Sequence, residues 1–169
     1  MRLLISILLM TIFCSCSEYV KQENYISKDI EIDFPVGWNM TDNEDFGAGK
    51  YFAIEKSGLS SSGLVTISFV EKDYDLEEWI NLNIKEIQSN LILQKADVKF
   101  EKIEKSKFQN TDALSANYKM KLLGLAHSGK IYAFAKNGKV FAFIQQGADE
   151  DSSGNIEGFD HLQNNLKIK

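Results

Sequence analysis

Near the C-terminal end of the chain, Ile131 to Ala135 and Val140 to Ile144 are apolar on both faces, and Asn137-Gly138 lies between them. An Asn-Gly pair joining two strand-like runs is a strong hairpin signal, because both central residues of a type I′ turn need φ > 0. Strands with two apolar faces belong in the interior of a sheet that is covered on both sides. The covering elements are therefore the first thing to look for in the rest of the sequence.

Two segments carry helical spacing. Asp75 can cap a helix over about 75 to 92, with Leu76, Ile80, Ile84, Ile87 and Leu91 on one face and Trp79 beside them. Ile156, Phe159, Leu162 and Leu166 predict a shorter helix after Ser152-Ser153. The remaining segments alternate with period two. Ile30, Ile32 and Phe34 form a strand that stops at Pro35-Val36-Gly37, followed by Trp38. Tyr51 to Lys56 is a second strand. Val65, Ile67 and Phe69 mark a third, after a Ser/Gly-rich loop. Val98 to Glu104 and Ala113 to Leu122 precede the hairpin, the latter with Leu114, Ala116, Tyr118, Met120 and Leu122 on one face. The expected fold class is α+β, an antiparallel sheet of about six or seven strands sandwiched between the long helix and the short C-terminal one. Trp38 and Trp79 read as core residues. With 169 residues, 44% of them apolar, a single domain can bury roughly 70% of its unfolded surface without disulfide or metal staples.

Phe34-Pro35-Val36-Gly37-Trp38 after a first strand, the long helix, the Asn-Gly hairpin and the closing Phe159-Asp160-His161-Leu162 helix resemble the PsbP-like fold. That fold is named for an extrinsic photosystem II protein and is also found in bacterial DcrB-like lipoproteins. The similarity covers about residues 29 to 168. It implies an α/β/α sandwich used for binding, assembly or chaperone-like work, with no shared catalytic residue to carry over.

The N-terminus reads as an address. Met1-Arg2 precedes an apolar run from Leu3 to Phe13, too short for a permanent bilayer span, which ends in Phe13-Cys14-Ser15-Cys16. This resembles a bacterial lipobox, with small Ser15 before Cys16, the thiol that would be acylated. The expected organisation is a signal peptide over 1–15, a flexible tether over 16–28 and a globular domain over 29–169. Acylated Cys16 would hold the protein on a lipid membrane, extracytoplasmic in the bacterial cell envelope. Removal of Cys14 and lipidation of Cys16 would leave no free thiol in the domain, which excludes cysteine nucleophiles and cysteine zinc sites.

Charge excludes other roles. The formal net charge is −5, and the only arginine is Arg2, so nucleic acid recognition, which leans on bidentate arginine, is not expected. Glu18 to Glu78 carries a balance of −9, and Trp79 to Val140 one of +6. Lys95, Lys99, Lys102, Lys105 and Lys107 stand out as a cluster that either faces anionic headgroups or an acidic partner, or protects a strand edge. His127 and His161 have no cysteine, histidine or paired carboxylate at ligand spacing. The acidic loop at Asp42 to Gly47 begins like a calcium loop but fails at Phe46 and Ala53. The segment from Asp149 to Asp160 fits better, with oxygen ligands expected from Asp149, Asp151, Ser153, Glu157 and Asp160, and Gly154 at the sixth position. The competing reading is an acidic lead-in to a helix N-terminus.

These observations lead to a non-enzymatic, membrane-anchored lipoprotein that binds or stabilises an envelope protein partner, with no cofactor. The alternatives are a calcium-dependent binding module using residues 149–160, and a hydrolase with a dispersed active site.

Overall fold

The computed structural model describes residues 24–58, 61–72, 74–90, 96–122 and 124–169. Among these residues, eleven strands and two helices follow in the order β1 (Asn24–Ile26), β2 (Ile30–Asp33), β3 (Trp38–Asp45), β4 (Gly49–Lys56), β5 (Leu64–Val70), α1 (Leu76–Ser89), β6 (Lys99–Phe100), β7 (Glu104–Phe108), β8 (Thr111–Leu122), β9 (Leu125–Lys136), β10 (Lys139–Ala148), α2 (Ser152–Asn165) and β11 (Lys167–Ile168). An antiparallel sheet of eight strands runs β3-β4-β5-β10-β9-β8-β6, with β7 also on β8, and a separate three-stranded sheet runs β1-β2-β11. The fold is α+β, as expected, but with more strands than the six or seven read from the sequence. The extra ones are short or acidic.

The β9–β10 hairpin forms as its turn chemistry dictates: Asn137 and Gly138 have φ of 52° and 73°, and Lys136 pairs with Lys139 across a two-residue loop. Alternate residues then serve two separate cores. Ile131 and Ala133 join Ala116, Tyr118 and Met120 under Ile80 of α1. Tyr132, Phe134, Phe141 and Phe143 join β4 and β5 residues under Phe159 and Leu162 of α2, and β2 adds Ile30 and Ile32 to that second core. Within it an aromatic row crosses the sheet. Phe108 stacks on Phe134 at 4.2 Å, Phe134 on Phe141 at 5.3 Å, and Phe141 lies 5.0 Å from Phe69. Cross-strand register places these rings side by side, and each such pair adds about 0.5–1.5 kcal/mol beyond burial.

Three boundaries differ from expectation. The folded part starts before residue 29: Asn24–Ile26 pairs with β2, and Tyr25 packs 5.3 Å from the Phe52 ring, so residues 24–28 belong to the domain and not to the tether. Trp38–Asp45 is a strand although its second half is Thr-Asp-Asn-Glu-Asp, poor β formers. It is an edge strand with a bulge between Met40 and Asp42, where pairing with β4 on one side outweighs propensity. The expected strand over Val98 to Glu104 is broken, because β6 and β7 pair with different parts of β8. The first 23 residues, with Cys16 and the expected signal peptide, lie outside the described residues, as do Leu91 and Lys95.

Candidate binding groove

Helix α1 starts where its cap predicts: Asp75 Oδ1 accepts from the backbone N–H groups of Glu77 and Glu78 at 2.8 and 3.3 Å. It packs on β8, β9 and β10. A helix with its side chains is about 10 Å wide, whereas seven strands at about 4.8 Å spacing span about 30 Å. One helix therefore leaves part of this sheet face uncovered. The gap is a groove of about 540 Å³ beside α1, floored by Tyr51, Leu64, Thr66, Ser68 and Val70 of β4 and β5 and walled by Trp79, Leu82 and Glu86 of α1. Glu44 and Phe46 close the opposite rim.

Two of the large apolar side chains that stand out into solvent belong to this groove, Phe46 at 55% and Leu82 at 42% exposure. Trp79 belongs to it too. The expectation of a core tryptophan holds for Trp38, which is 1% exposed, but Trp79 is only partly buried against the α1 core, with Tyr74 5.3 Å from its ring. Its indole N–H is buried and has no hydrogen-bond partner among the described residues. Trp79→Ala is accordingly expected to lower stability by only about 1–2 kcal/mol in denaturant melts, since a ring that is already partly exposed loses less burial and an unsatisfied donor is removed with it. A loss of about 4 kcal/mol would place the ring in the core.

The electrostatics of the groove are one-sided. Burial pushes the Tyr51 hydroxyl above its ordinary pKa, and the carboxylates of Asp42, Glu86, Glu44 and Glu55 push it further in the same direction. Among the described residues, no lysine or arginine lines the groove.

The calcium expectation is not met. Asp149, Glu150 and Asp151 form a 3-10 turn and residues 152–165 are helix. At 1.5 Å rise per residue, Ser153 and Asp160 stand about 10 Å apart along the axis, too far to share an ion with ligands at about 2.4 Å. Asp151 accepts instead from the Ser62 hydroxyl at 2.7 Å. Among the described residues no group of three or more His, Cys, Asp or Glu side chains is gathered to hold a metal. Asp149 and Asp151 thus form an acidic approach to α2, and Ser153, Glu157 and Asp160 lie within the helix itself.

Ser62 Oγ donates to Asp151 and accepts from Ala148 N–H at 2.8 Å and Asn155 Nδ2 at 3.3 Å, so its proton and both lone pairs are engaged in tying the loop to α2. His127 Nδ1 lies 3.2 Å from the Leu125 carbonyl oxygen. Lys99 pairs with Asp97 at 3.0 Å, and Lys105 and Lys107 line the β7 edge, where solvated charge discourages pairing with another sheet.

No protein-family model and no curated protein matches the sequence. Solved structures do match the fold. The solution structure of cyanobacterial PsbP (CyanoP) from Synechocystis sp. PCC 6803 aligns with 89% of this chain and 96% of its own, at 14% identity and a TM-score of 0.58. The fold is PsbP-like. LpqN of Mycobacterium tuberculosis, described as involved in cell envelope biogenesis, shares it at 13% identity and a TM-score of 0.56 over 83% of both chains. A Bacteroides thetaiotaomicron VPI-5482 protein aligns with 88% of this chain at 14% identity and a TM-score of 0.57. This chain spans about half the length of that protein. Among the described residues of this PsbP-like chain, no helix is long and apolar enough to cross a membrane.

Proposed function

We propose that this protein is a non-enzymatic, lipid-anchored component of the bacterial cell envelope whose PsbP-like domain, an α/β/α sandwich, binds or stabilises an envelope protein partner through the groove beside α1. The observation that carries this reading is the groove itself: a stretch of sheet left uncovered by α1, edged by exposed Phe46 and Leu82. Clustered exposed apolar side chains with a polar rim mark interaction sites. LpqN, of the same fold, is described as an envelope-biogenesis protein, which supports the location.

The test places a photoactivatable amino acid at position 82 in growing cells, with exposed Lys121 as the control position. A single adduct of defined mass from position 82, absent from position 121, is the expected result; no adduct, or the same adducts from both, defeats the reading. Anchoring has its own test. Cys16→Ala removes the acceptor thiol, so the variant is expected to lose all incorporation of a fatty-acid analogue and to leave the membrane fraction. Continued labelling of the variant would place the lipid elsewhere.

A further inference from the structure

We infer that the groove takes an extended segment of its protein partner in which lysine or arginine alternates with small aliphatic residues, the cations lying between Glu44 and Glu86 over the rings of Tyr51 and Trp79. This rests on the reading of the groove as the partner site. Charge is the first argument. Glu44 and Glu86 both line the groove, and neither makes an ion pair among the described residues. Both side chains are exposed, and both act on Tyr51 together with Asp42 and Glu55. Two carboxylates lining the groove without an ion pair among the described residues favour a cationic guest.

The aromatic walls agree. Ammonium groups are drawn to the faces of indole and phenol rings. The same patch already does this within the chain, where Lys72 Nζ sits 4.2 Å over Tyr74 and Tyr74 in turn lies 5.3 Å from Trp79. Length decides between a compact ligand and a chain. Leu64, Thr66, Ser68 and Val70 follow one another along β5, a floor of about 20 Å, enough for about six extended residues. The mix of aliphatic ends and central hydroxyls on that floor suits side chains that alternate with a polar backbone.

Binding is measured on the full chain in a neutral detergent, using fluorescent peptides of roughly nine residues that alternate Lys with Val, acetyl-lysine with Val, or Glu with Val. The Lys-Val peptide is expected to bind, to weaken with added salt, and to lose about tenfold or more in affinity for the Glu44→Gln/Glu86→Gln double variant, whose exposed substitutions leave the core intact. Neither control peptide is expected to bind. Equal binding of the acetylated peptide, or indifference to the double variant, overturns the cationic assignment while position-82 crosslinking still upholds the groove. Absence of any peptide binding also overturns it, and loss of the crosslink as well shows that the groove reading failed with it. A dimer in sedimentation that Leu82→Arg dissolves assigns the groove to a second copy and overturns the inference.

Discussion

Trp38→Ala is expected to cost the folded domain about 3–5 kcal/mol, the range for deleting a large buried aromatic ring. The indole is 1% exposed and lies directly against bare backbone. A Cβ at Gly158 of α2 would fall 2.4 Å from its Cζ2, and one at Gly63 would fall 2.6 Å from its Cη2. Phe159 meets it edge-on at 5.6 Å. The ring is thus the spacer that sets the distance between α2 and the start of β3. At Gly63 and Gly158 there is no side chain to swing inward and fill a hole, so the cavity term adds to the lost burial. The turn before it is equally determined: Trp38 N–H donates to the Pro35 carbonyl at 3.0 Å, and Gly37 supplies the φ of 83° that a type II turn needs. Denaturant melts followed by circular dichroism measure the loss. A value below about 1 kcal/mol would show that α2 closes onto the sheet without the ring.

Asp29→Ala is expected to cost about 3 kcal/mol, because it strands charges that the fold has withdrawn from water. Its carboxylate is 4% exposed and faces Lys139 at 3.2 Å and Lys50 at 3.4 Å, which are themselves only 15% and 17% exposed. Burial alone would raise its pKa, but the hydrogen bond and charge of Lys139, with help from Lys28 and Lys50, outweigh this and hold the group below its ordinary value. A carboxylate depressed in the folded state stabilises the fold above its unfolded pKa of about 3.9, and that stability is lost as pH falls through the folded value. Lys50 shows the opposite sign: burial would lower it, but Asp29 and Asp45 raise it, so its share persists until pH rises past about 10.4. Melts at a series of pH values should show wild type losing stability below about pH 4 more steeply than Asp29→Asn, which has no charge to lose there. Parallel curves for the two proteins would remove Asp29 from the stability of the domain.

How far the sequence could be read followed the range of the interactions involved. The α1 cap at Asp75, the Asn137-Gly138 turn, the two-faced apolar strands and the start of α2 are decided within a few residues, and all were legible. The acidic β3 strand was not, since only its neighbour β4 makes it a strand. Residues 149–160 carry oxygen atoms at calcium-loop spacing, yet spacing along a chain becomes a cage only if the backbone curls. Here the backbone continues as helix, stabilised by Phe159 and Leu162 reaching the core.

The groove was hidden for a different reason. Thr66 and Ser68 showed as the polar face of a strand, and Trp79 as an addition to a helical stripe, but nothing local says that α1 settles over β8 to β10 and leaves β4 and β5 open beside it. That follows from a sheet about three times wider than one helix. Local chemistry by itself determined which segments are strand, turn and helix, and the pattern and order of those segments pointed to an α+β, PsbP-like fold. Strand register and helix placement decided the rest: the aromatic row from Phe108 to Phe69, the pairing of Asp29 with lysines from two distant strands, and a groove whose lining comes from residues 44 to 146. These depend on contacts between residues far apart in the chain, which no window of sequence contains.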